Sequence, residues 1–88
     1  MKKHSINKDL YEDVVAEPKD GWRMVLSVSG TKWILQKRRE KSDGTFRWED
    51  VRAHGVKSEL VTAIRHHIPN PDEDAMEIIH DLPERLTK

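Results

Sequence analysis

Between Trp22 and His54 apolar and polar residues alternate with a period of two, in short runs broken by glycine. That is the pattern of strands joined by tight turns. Three strands are predicted. In residues 23–28, Met24, Leu26 and Val28 share one face, with Arg23, Val25 and Ser27 on the other. Ser29 and Gly30 form the turn. In residues 32–39, Trp33 and Leu35 oppose Lys32, Ile34, Gln36 and Arg38, so the strand begins apolar and ends basic. Ser42, Asp43 and Gly44 turn the chain again, Asp-Gly being a strong hairpin signal. In residues 45–54, Phe46 and Trp48 have one parity, Val51 and Ala53 the other. A bulge near Glu49 and Asp50 would bring all four to one side.

After Gly55 the period changes to that of a helix. Leu60, Val61, Ile64 and Ile68 make an apolar stripe that predicts a helix over 59–67, capped by Ser58. Pro69 and Pro71 enforce an extended link around Asn70. Asp72, Glu73 and Asp74 then complement the amino end of a second helix, whose stripe is Ala75, Met76, Ile79 and Leu82 and whose stop is Pro83. Residues 84–88 are expected to fray. Upstream, Leu10, Tyr11, Val14 and Val15 give a short helical stripe over 7–16, begun by Asn7 and broken before Pro18; Asp20 and Gly21 supply a turn. The predicted class is α+β: a three-stranded antiparallel sheet packed against a helix, with a second C-terminal helix and a short N-terminal segment closing the edges. A chain of 88 residues has room for one core, so 1–88 is read as a single domain.

Composition narrows the chemistry. There is no cysteine, which excludes disulfides, a thiolate nucleophile and a Cys-ligated zinc. No stretch approaches the roughly 20 apolar residues of a membrane span, and MKKHSINKDLYED lacks the apolar core of a leader. A cytoplasmic protein with no membrane association is expected. The net charge of zero hides a division: residues 1–21 carry −1, residues 22–57 carry +5 and residues 58–88 carry −4. Either the basic and acidic segments attract each other, with the acidic second helix masking the basic sheet, or each is offered to a partner of opposite charge.

The candidate site is the basic part of the sheet. Lys37, Arg38, Arg39 and Lys41 cluster at one end of it, joined by Arg47 and Arg52, and Trp22 is the tryptophan expected to remain partly exposed, with Trp33 and Trp48 packed under the first helix. Cations beside an aromatic anchor suit an anionic partner. The competing account is a charged edge that discourages strand addition, and the interleaved Glu40, Asp43, Glu49 and Asp50 weaken a phosphate-tracking use. His54, His66, His67 and His80 do not make a metal site: adjacent histidines on a helix point about 100° apart, and a helix carboxyl end explains His66 and His67. Neither a catalytic constellation nor a cofactor-binding motif can be assembled from the spacings.

Two resemblances are carried by these segments. GTKW at 30–33 and DGTFRW at 43–48, followed by a helix, resemble in outline the sheet-reading DNA-binding domains of plant AP2 factors and of some integrase amino termini. KWILQKRRE, DGTFRWEDVRAHG and SELVTAIRHHI, spanning residues 32–68, look like small proteins of bacteriophages and prophages. The second resemblance implies a mobile-element setting and assigns no activity or catalytic residue. Together these readings lead to one expectation, a non-enzymatic binding protein of phage or prophage setting. It would modulate or inhibit a host protein or nucleoprotein complex through Trp22, Lys37, Arg38, Arg39, Lys41, Arg47 and Arg52. The alternative is a DNA- or RNA-binding regulator using the same residues. No cofactor is expected, and the oligomeric state is not legible.

Overall fold

The computed structural model describes residues 14–86. Four strands, β1 (Val14–Lys19), β2 (Trp22–Leu26), β3 (Trp33–Glu40) and β4 (Phe46–His54), form one antiparallel sheet in the order β1-β2-β3-β4. Two helices follow, α1 (Lys57–His67) and α2 (Glu73–His80). The α+β class stands, with one strand more than the alternation predicts. Val14, Val15 and Ala16 belong to β1 and not to a helix; the rest of the stretch read as helical, 7–13, lies outside the described residues. Pro18 does not break a helix but sits inside β1, which is tolerable because β1 is an edge strand and a proline there forfeits no inner ladder bond. Asp20 and Gly21 close the β1–β2 hairpin between the paired Lys19 and Trp22, and Gly21 supplies the positive φ of 85° that the tight turn needs.

Both helices lie on the same face of the sheet. Ala16, Met24, Trp33 and Leu35 meet Leu60, Ile64 and Ile68 from the α1 segment and Ala75, Met76 and Ile79 from α2 in one buried cluster. The parities predicted for β2 and β3 hold, except that Val28 lies beyond the strand and is 79% exposed. The opposite face also has buried residues, Arg23, Val25, Ile34 and Gln36. Trp48 lies on that opposite face, paired with Arg38 rather than packed under α1, because the parity of β4 follows that of Gln36 and Arg38. The predicted bulge exists, displaced to Val51: Leu35 pairs with Arg52 and Gln36 with Asp50, so one residue of β4 is left over. Phe46, Trp48 and Ala53 thereby share a face, whereas Val51, expected to join them, is itself the unpaired residue of the bulge.

The helix ends are tied by distant chain. Ser58 does not cap α1; the N-cap is Val56, without a side-chain bond. Two first-turn amides are met by the tail instead: the Glu84 carbonyl accepts from Lys57 N at 2.7 Å and its carboxylate from Ser58 N at 3.4 Å, while in the other direction Leu86 N donates to the Gly55 carbonyl at 3.1 Å and Arg85 bridges to Val56. Residues 84–86 are therefore held, not frayed. Lys57 in turn donates its Nζ to the carbonyls of His80 (2.8 Å) and Leu82 (2.9 Å), placing a cation at the negative end of α2. At the other end of α2, the Asp72 side chain caps Ala75 N at 2.9 Å. The link between the helices is not simply extended. Asn70, between two prolines, takes φ 53°, a left-handed conformation that asparagine tolerates better than most residues. This bend brings Asn70 O to Lys19 Nζ (3.1 Å) and Asp72 N to Pro18 O (2.6 Å), fastening the link to β1.

Candidate functional site

Beyond the reach of the helices, β3 and β4 continue as a two-stranded arm. Residues 38–47 are all exposed, spanning the end of β3, the turn and the start of β4. The turn is self-organised: Asp43 Oδ1 accepts from Thr45 N (3.0 Å) and from Thr45 Oγ1 (2.6 Å), and Gly44 takes φ 90°. Those two bonds, the side-chain one first, hold the Asp43 carboxyl below the usual carboxylate range.

The ladder distributes the predicted site residues over two faces. Lys37, Arg39, Arg47 and Glu49 lie on the face that carries the helices; Arg38, Glu40, Phe46 and Trp48 lie on the other. On the first face Arg39 Nε donates to Glu49, whose carboxyl is held low by that bond and by the charge of Arg39. Lys37 Nζ stands 5.2 Å from the centroid of Trp22, which is half-buried as expected of it. On the second face the Arg38 guanidinium lies 4.0 Å from the Phe46 centroid and its Nε is 3.0 Å from Glu40. Phe46 and Trp48 meet edge to face, at 6.2 Å between centroids and 88° between planes. Phe46 is nonetheless 45% exposed.

Where the arm joins the body, the second face is fixed by a buried polar chain. Arg23 Nε donates to Gln36 Oε1 at 2.7 Å, Gln36 Nε2 donates to Asp50 Oδ1 at 2.8 Å, and the Arg23 guanidinium stacks on Trp48 at 4.3 Å. Sequence reasoning did not single out Arg23 or Gln36. Their shared parity with Arg38 was the available signal, since a polar pair flanked by Val25 and Ile34 on a face that is buried must be hydrogen-bonded.

Of the predicted residues, then, Lys37, Arg38, Arg39, Lys41 and Arg47 are brought together on the arm. Arg52 is not. It lies past the Val51 bulge, against α1, in a hollow that it shares with His54, His66 and His67. The acidic residues of α2 do not cover the arm: α2 packs on β1, at the far side of the sheet from β4, and Glu73, Asp74, Glu77 and Asp81 line a groove with Arg65 and His80. The suggested masking of the basic sheet is therefore not built. No described helix is long and apolar enough to cross a membrane. Compared with family models, with curated proteins and with solved structures, the chain matches none.

Proposed function

We propose that the chain is a non-enzymatic, cytoplasmic binding protein that modulates or inhibits a partner protein or nucleoprotein complex through the β3–β4 arm. The observation that carries this reading is the second face of the arm, where exposed Phe46 is framed by Arg38 and Trp48 on a ribbon anchored by the Arg23–Gln36–Asp50 chain. A rigid aromatic beside a guanidinium is the composition of an interface anchor, and charges around it steer encounter. A bacteriophage or prophage setting is proposed on the resemblance of residues 32–68 alone.

The nucleic-acid reading has its own support, since a two-stranded ribbon fits the major groove and Lys41 and Arg47 have no ion-pair partner among the described residues. It is placed second because Arg38 and Arg39 are already engaged by Glu40 and Glu49, which would have to be displaced before phosphates could be contacted. The discriminating experiment is affinity capture from a bacterial lysate, with and without nuclease, using the wild-type chain and the variant Arg38→Ala/Phe46→Ala. A discrete protein retained through nuclease by the wild type and lost by the variant is the expected result. Equal capture by both removes the arm from the function, and capture abolished by nuclease makes the nucleic-acid reading the better one.

A further inference from the structure

Arg52 and His54 occupy neighbouring positions of one parity near the end of β4, on the face that carries the helices, because their β3 partners are Leu35 and Trp33. Across from them α1 presents Glu59, Thr62 and, in its last turn, His66 and His67. Between strand and helix lies an open hollow of about 450 Å³. Its guanidinium has no carboxylate to itself. Among the described residues at its wall the one carboxylate, Glu59, is engaged by His54 Nδ1 at 3.2 Å. Arg52 donates to its own neighbour's carbonyl, Val51 O at 2.9 Å, and has no acid partner among the described residues. His66 and His67 stand edge to face with centroids 5.0 Å apart, and His67 Nε2 is a buried ring nitrogen without a hydrogen-bond partner among the described residues.

We propose that this hollow is a binding site for a phosphate group, carried on a small organic ester and held by the Arg52 guanidinium with the imidazoles of His66 and His67. The Arg fork matches two phosphate oxygens at once, and an imidazole supplies a further N–H to a third. Three features favour an oxyanion over a neutral guest. Arg52 and three imidazoles from two different elements converge here, and the carboxylate among them, Glu59, is turned to His54. The orphaned nitrogen of His67 is the kind of unsatisfied group for which a missing partner is the ordinary explanation. Burial first, then the charges of Arg52 and His66, press His67 toward its neutral form, and an anion placed among them would offset that pressure. Ala63 and the Thr62 side chain give the organic part of the ester a partly apolar wall. The site lies on the opposite face of the sheet from Phe46 and Trp48, so loss of Phe46 and loss of Arg52 can be read apart, although His67 also packs on Trp22 with ring centroids 6.2 Å apart.

The test is titration of the full chain with phenyl phosphate, inorganic phosphate and phenol, followed by the imidazole NMR signals. His80, which lines a different groove, serves as the internal control. Phenyl phosphate is expected to move the signals of His66 and His67 in a saturable way below about 10 mM and to leave His80 in place. Arg52→Gln should weaken that binding at least about tenfold, the loss of one charge-assisted bidentate contact. His66→Gln, at an exposed helix position, is a second variant with the same expected direction. Inorganic phosphate moving the same signals identifies the phosphate as what is read, and tighter binding of phenyl phosphate assigns the ester as its source. Phenol acting as well as phenyl phosphate, no saturable shift, or undiminished binding by both variants would each overturn the proposal.

Discussion

Gln36→Leu tests whether the buried polar chain, and not apolar packing alone, holds the base of the arm. Gln36 is 2% exposed and both ends of its amide are used, as acceptor for Arg23 Nε and as donor to Asp50. Leucine has a similar volume and neither function. A buried hydrogen bond from a charged donor contributes about 1.5–3 kcal/mol net, and the bond to the exposed Asp50 adds at most about 1 kcal/mol because water can replace it. Against these losses, the extra apolar surface of leucine returns about 1 kcal/mol. The net expectation is a destabilisation of about 2 kcal/mol, or a fall in melting temperature of about 10 °C for a domain of this size. Urea denaturation followed by circular dichroism measures it directly, with Asp50→Ala and the double variant completing a cycle whose coupling should be about 0.5–1 kcal/mol. Gln36→Glu sharpens the argument: it keeps an acceptor for Arg23 but sets a second carboxylate against Asp50, so its stability should recover as acid protonates one of the two. A Gln36→Leu protein within about 0.5 kcal/mol of wild type would refute the reasoning, because volume alone would then suffice.

Ile64→Ala removes a side chain with no exposed surface at the centre of the cluster under α1, and should cost about 3 kcal/mol by thermal denaturation. Asp72→Ala should cost about 1 kcal/mol through the lost cap on Ala75 N, while Asp72→Asn, which caps as well, should lose much less. His67 is held below its ordinary value, so the unfolded chain takes up a proton on it at higher pH than the folded chain does. Its contribution to stability is therefore complete above about pH 6.5 and falls as the pH is lowered from there to the depressed folded value. Urea midpoints measured across that window for wild type and His67→Gln should differ in slope, and parallel curves would contradict the assignment. Phe46→Ala, at a half-exposed position on the arm, should leave the melting temperature almost unchanged even where it abolishes partner capture.

The strands from Trp22 to His54 and both helices were legible because alternation, turn glycines and helical stripes agreed with one another along the chain. Failures occurred where two local signals competed or where a partner came from far away. Leu10, Val14 and Val15 have helical spacing, yet Val15 is the bulged residue of β1 between Val14, opposite Val25, and Ala16, opposite Met24; a bulge breaks the period of two that would have announced a strand. Trp48 was assigned to the wrong layer because the first four residues of β3 are buried on both faces, so parity alone could not say which face the helices cover. Ser58 had the right chemistry for a cap and was preempted by Glu84, whose approach no local rule foretells. The arm was readable as a basic hairpin, but its division into two faces, and the departure of Arg52 from it, followed only from the Val51 bulge.

The same connectivity sets an order for assembly. Every pair of neighbouring strands is also consecutive in sequence, so the sheet can grow by hairpins whose loops close at little entropic cost. The seam between β1 and the α1–α2 link is different. Lys19 meets Asn70 at a sequence separation of 51, and Pro18 O receives Asp72 N in the same place. That seam is the natural last step of folding and the first to part in the native state. Hydrogen exchange should accordingly find the Asp72 amide exchanging by a subglobal opening, well before the β2–β3 ladder at the centre of the sheet releases its protons.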